Sequence, residues 1–453
     1  MTSQSVRVVN VTHVLPGGAS AAAPPHAGGG DVDVIELSFL DTMFFALTPL
    51  KRLFFYEAAE PSFPAMVSSL QSSLAATLAV FAPLAGKLAY RPSHDDVVID
   101  CSVAAVSPGV VFIEAEYHDD DDAVVDMRRL AGDEEHHTEA FKRLVPEMDV
   151  GRLPAPLLSV QVTRPAAAAA GGSGGVVAVG VSIHHVVGDG QAVWQFMRAV
   201  VHGVAGGIAG GGGGGHNSGE PDVTRQWRKT YLLRPHQIQS LKQRMLAKTK
   251  EQLMLMAAPT THVAVLSLYW TSLVRAKFTS TGGGGAGDGD VYFMIPGDLR
   301  RRLRPPVGDG YFGNCVKPCY ASAAVGDLRG GNGLVHAAAA FQSAIRGSLE
   351  CDDPLADDVE RWSELERKVP KERIAQASAS HRFMAYETDF GWGAPRRVEL
   401  VSVYRMDVVA LVAAPPAAGG GVQVSVALDR AHMEAFDSYF LQNSDTKSDS
   451  PSI

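Results

Sequence analysis

At 453 residues the chain exceeds the length at which a single hydrophobic core keeps growing, so two domains of about 200 residues each are expected. Its 46% hydrophobic and 20% charged residues are those of an ordinary globular protein, and a formal net charge of −9 argues against a nucleic-acid surface. No run approaches the ~18 apolar residues of a membrane span, and Met1–Arg7 lacks the apolar stretch of a signal peptide, so a cytoplasmic protein is expected.

In chain order, residues 15–30 form a Pro/Gly/Ala loop. Leu70–Phe81 has helical spacing and stops at Pro83-Leu84-Ala85-Gly86, before a hairpin-like region. Asp119–Asp122 reads as a solvated loop, because it lacks the spacing of a calcium site. Val176–Ile183 is apolar and rich in β-branched residues, the pattern of a buried strand. Val193, Phe196, Met197, Val200 and Val201 then recur at the spacing of a packed helix. Gly203–Gly219 holds a run of glycines over 210–215 and reads as a linker.

Beyond it, Ile238–Met254 reads as a basic helix, Val263–Val274 as a buried one and Val291–Pro296 as a short strand. Gly282–Gly289 looks like a surface insertion, and Val408–Val412 with Val422–Leu428 like paired strands. The expected fold class is α/β or α+β with large sheets. The expected division is a first domain over 1–202, a linker over 203–221, a second domain over 222–442 and a disordered tail over 443–453. Four cysteines do not make a disulfide framework, and Cys315 and Cys319 complete no His/Cys cluster, so no metal is expected.

The chemistry concentrates at the strand-to-helix junction His184-His185-Val186-Val187-Gly188-Asp189-Gly190. Alternation along a strand points His184 and His185 to opposite faces, and Asp189 stands where a helix N-cap belongs. Two readings remain open at this point: a capping aspartate with core histidines, or a general base at the end of a strand.

Charge supplies a second signal. Val223–Lys250 carries eight basic residues, Arg225, Arg228, Lys229, Arg234, Lys242, Arg244, Lys248 and Lys250, and no Asp or Glu. Arg300-Arg301-Arg302-Leu303-Arg304 follows. On an acidic chain this is either a site for a phosphorylated ligand or a solvated helix face. No GxGxxG after a strand, no GxxxxGK[ST] and no GxSxG elbow competes, so a ligand held by side chains, such as coenzyme A, stays open.

The HHxxxDG string together with Asp389-Phe390-Gly391-Trp392-Gly393, about 200 residues later, resembles the plant BAHD acyltransferase family and its HxxxD and DFGWG motifs. Leu37-Ser38-Phe39-Leu40-Asp41 leading to Arg52-Leu53-Phe54-Phe55-Tyr56, and Pro83–Leu88, are further family-like segments. Tyr311-Phe312-Gly313-Asn314-Cys315 resembles the branch acting on anthocyanin and other flavonoid or phenolic glucosides. The likeness runs over residues 5–442.

The resemblance implies two chloramphenicol-acetyltransferase-like domains with a solvent channel at their interface. It also implies an acyl-CoA cosubstrate, malonyl-CoA or hydroxycinnamoyl-CoA, and no permanently bound cofactor. His185 becomes the general base, without an acyl-enzyme, and Asp189 a structural partner of Arg300. Asp389, Phe390, Gly391, Trp392 and Gly393 shape the CoA side, and Lys242, Arg244 and Lys248 are candidate CoA contacts. A monomer acting on a small phenolic glucoside, with no nucleic-acid or membrane partner, completes the expectation. Two departures stand out: Gly203–Gly219 replaces a longer acceptor loop, and Ser380-His381-Arg382 stands where relatives commonly show Ser-Pro. The competing expectation is a non-catalytic homologue that binds CoA or a phenolic compound with an impaired acceptor site.

Overall fold

The computed structural model describes residues 6–17, 33–45, 47–58, 62–118, 127–166, 175–202, 224–251, 257–278, 289–308, 310–355, 358–402 and 406–444. The expected linker at 203–221, the loop at Asp119–Asp122 and nearly all of the insertion at 282–289 lie outside them, as do residues 445–453. Two compact units emerge: Met1–Glu220 with Val307–Cys315 and Ala385–Tyr404, and Pro221–Pro306 with Val316–Met384 and Arg405–Ile453.

The first unit contains β1 (Val6–Val14), β2 (Val34–Glu36), β3 (Leu50–Ala58), β4 (Lys87–Arg91), β5 (Asp96–Asp100), β6 (Val110–Tyr117), β7 (His136–His137), β8 (Ala155–Pro156), β9 (Leu158–Pro165), β10 (Gly175–Ile183) and, much later in the chain, β15 (Arg397–Leu400). One sheet runs β1-β6-β9-β10-β3-β15 and a smaller one β2-β5-β4-β8. The hairpin expected after Pro83 is the antiparallel pair β4–β5.

Strand β10 lies between two neighbours, with Ile183 opposite Leu158 of β9 and Leu50 of β3. Both of its faces are covered, so its apolar run is continuous rather than alternating. Each fully buried Val or Ile there contributes about 1.5–3 kcal/mol by area, as an upper figure. Alternation reappears on β3: Leu53 and Phe55 join a core with Phe141, Leu144 and Val145, while Phe54 and Tyr56 face the other way. Helices α1 (Phe39–Thr42), α2 (Phe63–Leu78), α3 (Val103–Val106), α4 (Met127–Leu130), α5 (Thr138–Lys142) and α6 (Gly190–His202) complete the unit, with α2 packed on α6. Helix α2 starts about two turns before the expected Leu70, because Pro64 near its N-terminus suits a first turn.

In the second unit, β11 (Gln226–Leu233), β12 (Asp290–Asp298), β13 (Val316–Ala324), β14 (Ile374–Ala377), β16 (Val408–Ala413) and β17 (Val422–Asp429) run in the order β13-β12-β14-β16-β17-β11. Its helices are α7 (Pro235–Glu251), α8 (Thr261–Lys277), α9 (Val325–Arg329), α10 (Gly333–Leu349), α11 (Asp358–Lys368) and α12 (Arg430–Ser444). Helix α8 packs against α10 and α12, which explains why its apolar residues encircle it. The pairing of β16 with β17 matches the expected strands.

Two corrections follow. The stretch 222–442 is not one piece: β15 pairs antiparallel with β3, Val398 opposite Phe54, so residues 385–404 and the DFGWG motif belong to the first unit. Asn443 and Ser444, expected in the tail, belong to α12, where the Ser444 hydroxyl donates to Leu441 O.

Candidate active site

Strand β10 ends at Ile183 and delivers the two histidines into one 3-10 turn, His185–Val187. His184 caps that turn: its Nδ1 accepts from Val186 N at 3.3 Å, and its backbone N donates to Leu157 O at 2.9 Å. It is a structural imidazole. His185 stacks on Phe44, ring centroids 4.1 Å apart and 9° from parallel. Burial pushes the pKa of each ring down to about 4. For His185 the charge of Arg52 pushes the same way, while a backbone hydrogen bond and a side-chain hydrogen bond with Asn314 oppose it. At neutral pH the ring is therefore uncharged and able to accept a proton.

Asp189 fills the N-cap position of α6. Its Oδ1 accepts from Gln191 N at 3.0 Å and Ala192 N at 3.1 Å, satisfying two of the amides that a helix start leaves open. The other oxygen, Oδ2, accepts from Cys315 N at 2.9 Å. One carboxylate thus caps the helix and anchors the segment that follows Tyr311. Gly188 leaves no room for a side chain, since a Cβ there would sit 2.7 Å from Ala192 Cβ.

Three residues of this neighbourhood had no role assigned from sequence: Asp41, Phe44 and Asn314. Asn314 Nδ2 faces Asp41 Oδ1 at 2.9 Å, His185 O at 2.9 Å and Val186 O at 3.1 Å. The signal available for Asp41 was Ser38-x-x-Asp41, a capping box, which is present at the start of α1. Nothing local distinguishes Asn314 or Phe44, whose partners lie far away in the chain.

The second motif closes on itself. Asp389 Oδ1 accepts from the backbone N of Gly391, Trp392 and Gly393 at 2.8, 3.0 and 2.9 Å. Gly391 and Gly393 have φ of +86° and +89°, the left-handed region that glycine enters without penalty, so the chain bends tightly around Trp392. Phe390 and Trp392 lie against Tyr56, centroids 5.6 and 5.3 Å away, and Tyr56 Oη donates to Thr388 O at 2.7 Å. Phe54 touches both Phe390, at 6.3 Å, and Trp194 of α6, at 6.0 Å. The DFGWG motif and helix α6, which follows the HHxxxDG string, thus meet at Phe54 of β3.

The remaining candidates belong to the second unit. Arg300 is buried and bonds Asp298 Oδ1 through its Nη1 at 3.2 Å. On α7, Lys242 Nζ donates to Thr261 Oγ1 at 3.0 Å, beside the loosely stacked rings of His262 and His381, 6.1 Å apart. Burial first, then the neighbouring cations, lower the pKa of both rings, that of His262 to about 4. Arg244 and Lys248 donate to the carbonyl oxygens of Asn443 and Gly331. Among the described residues no three His, Cys, Asp or Glu side chains group to hold a metal ion, and no helix is long and apolar enough to cross a membrane.

Solved structures share this fold. The crystal structure of vinorine synthase superposes with a TM-score of 0.70 at 15% identity, over 97% of this chain and 100% of that one. TRI101 of F. sporotrichioides, solved with coenzyme A and T-2, gives 0.65 at 16% identity, over 89% and 97%. The fold class is thereby that of the two-domain, chloramphenicol-acetyltransferase-like acyltransferases. The model described as "Transferase family" matches residues 30–207 and 217–442, and the chain belongs to that family, the BAHD acyltransferases. Among curated relatives, an anthocyanin 5-O-glucoside malonyltransferase of Salvia splendens is 26% identical over 92% of this chain and 93% of its own length. Phenolic glucoside malonyltransferase 1 of Nicotiana tabacum is 24% identical over 85% and 89%.

Proposed function

We propose that the protein moves an acyl group, malonyl or hydroxycinnamoyl, from its CoA thioester to a hydroxyl of a flavonoid, anthocyanin or other phenolic glucoside. The observation that supports this reading best is His185: an imidazole kept uncharged by burial, on a loop tied down by Asp189 and Asn314, in a chain of this family. In the proposed reaction the neutral ring takes the proton of the acceptor hydroxyl as its oxygen attacks the thioester carbon. The carbon–sulfur bond breaks as the tetrahedral centre collapses, and the imidazolium returns its proton to the thiolate. Free CoA and the ester leave, and no bond to the protein forms.

Asp189 fixes the loop in this scheme, and pairing with Arg300 is part of the proposal. For the CoA phosphates we favour Lys242, whose neighbours Arg382, His262 and His381 bring no carboxylate. Arg244 and Lys248 are engaged by backbone carbonyls and count first as braces of α7. The malonyl and coumaroyl names of relatives, the latter from Arabidopsis thaliana at 25% identity over 96% of this chain, support the two donor classes.

The test is to incubate the protein with malonyl-CoA and p-coumaroyl-CoA, with and without phenolic glucosides, and to follow thiol release. Release that requires the glucoside, with an acylated product of matching mass, is expected. Binding of CoA without release supports the non-catalytic homologue instead, and release without acceptor indicates hydrolysis.

A further inference from the structure

We infer that Asp41 is a positioning residue for the transfer reaction: through Asn314 it holds the main chain of His185, and it does so best as a carboxylate. The inference rests on His185 being the base. Asp41 is surrounded by donors, three N–H groups and the Ser38 hydroxyl. Its Oδ1 accepts from Asn314 N at 3.1 Å and Asn314 Nδ2 at 2.9 Å, and its Oδ2 accepts from Ser38 N at 2.7 Å. Both residues are buried, Asn314 fully and Asp41 at 6% exposure. A carboxylate satisfies that set because it accepts at both oxygens and donates at neither.

Asn314 is the transmitting group. Its amide nitrogen meets three acceptors, the Asp41 carboxylate and the carbonyls of His185 and Val186. Rotating the amide by half a turn would set its oxygen against all three, so the orientation is dictated rather than chosen. The same side chain also pushes the pKa of His185 upward, the sense that favours the imidazolium formed during transfer. Asp41 thus sets the amide, and the amide sets both the backbone and the charge environment of the base.

Protonation weakens this arrangement. A proton on Oδ1 would meet the two N–H groups of Asn314 already directed there, and a proton on Oδ2 removes the charge that strengthens those bonds, so the relay through Asn314 loosens. Burial raises the carboxyl pKa to about 6, hydrogen bonds from Ser38 and Asn314 lower it, and the charge of Asp189 raises it. Asp189 is the charged group facing it from the His185 loop. His185 becomes protonated only near 4. The two groups therefore place the acid limb of the reaction at different pH.

The experiment is the pH dependence of kcat for thiol release. The wild-type protein should lose activity as pH falls through about 6, while the KM for acyl-CoA holds. Asp41→Asn, which still accepts from Asn314 but cannot ionise, should lower kcat about tenfold at pH 7.5 and move the limb below about pH 5. Asn314→Ala cuts the relay and should move the limb likewise; adding Asp41→Asn to it should change kcat less than twofold, about the resolution of a cycle.

A limb that stays near pH 6 in both variants, a wild-type limb near 4, or losses that multiply in the double variant would each overturn the inference. Should Asp41→Asn not fold, the wild-type limb and Asn314→Ala still decide. Normal transfer by His185→Ala overturns the base itself, a different failure.

Discussion

The HHxxxDG loop and the basic helix α7 handle polar groups in opposite ways. Around the loop, buried carboxylates accept from amides: Asp189 takes three backbone amides, and Asp41 two backbone amides plus one side-chain amide. On α7 the cations stand at the surface of their unit and meet neutral oxygens, the Thr261 hydroxyl and the carbonyls of Asn443 and Gly331. Removing a buried acceptor leaves several amides without a partner, whereas removing a half-exposed cation leaves oxygens that water can serve. Substitutions in the first region should therefore change folding and rate together. Those in the second should change ligand affinity, or very little.

The comparison breaks most visibly at Asp189. Asp189→Ala should cost about 3 kcal/mol, since three amides lose their acceptor and a cap is lost as well. Denaturant unfolding checks this, with activity falling in parallel. With Arg300→Gln added to Asp189→Asn, the proposed pair predicts a combined cost below the sum of the singles. Strict additivity would remove Arg300 from the account.

A smaller effect should appear in acid. For His184 and His185 the folded-state pKa, about 4, lies below the ordinary value of 6.5, so the unfolded chain binds more protons between those limits. The stability they contribute is complete above pH 6.5 and is lost as pH falls toward 4. Asp41, raised to about 6, works in the opposite direction over part of that window, because its buried charge is relieved by protonation. From these three groups the expectation is a loss on the order of 2 kcal/mol between pH 7 and pH 5, and His136 and His262, also lowered to about 4, add to it in the same direction. Thermal melts should show it, and His184→Asn, whose Oδ1 can still accept from Val186 N, should flatten the dependence. A melting temperature independent of pH over this range would contradict the burial argument.

The smallest effect belongs to α7. Lys242→Ala should raise the KM for acyl-CoA about fivefold and weaken its salt dependence, with the acceptor KM unchanged. Arg244→Ala should leave the acyl-CoA KM alone and reduce stability modestly, through Asn443 and the end of α12. The reverse result would exchange the two roles.

Much of this molecule was legible in the sequence where a pattern is local. The β-branched run of β10, the apolar stripe of α6 and the capping position of Asp189 each follow from neighbours a few residues away. What stayed hidden depends on long-range pairing. The return of Asp389–Gly393 to the first unit is caused by β15 lying beside β3, more than 300 residues earlier, and short strands carry little signal of their partner. Asn314 meets Asp41 across 273 positions, so its significance lies in a geometry that no spacing rule contains. The even-handed basicity of Val223–Lys250 also concealed a division between Lys242, next to two imidazoles, and Arg244 and Lys248, occupied in bracing the helix.

The central claim is that His185 is the base, and His185→Ala tests it most directly. Thiol release from acyl-CoA at saturating glucoside should fall by roughly 10²–10⁴, while calorimetry shows CoA binding unchanged within about twofold. Near-normal release by the variant, with the wild-type protein active under the same conditions, would contradict the assignment and the reaction scheme built on it.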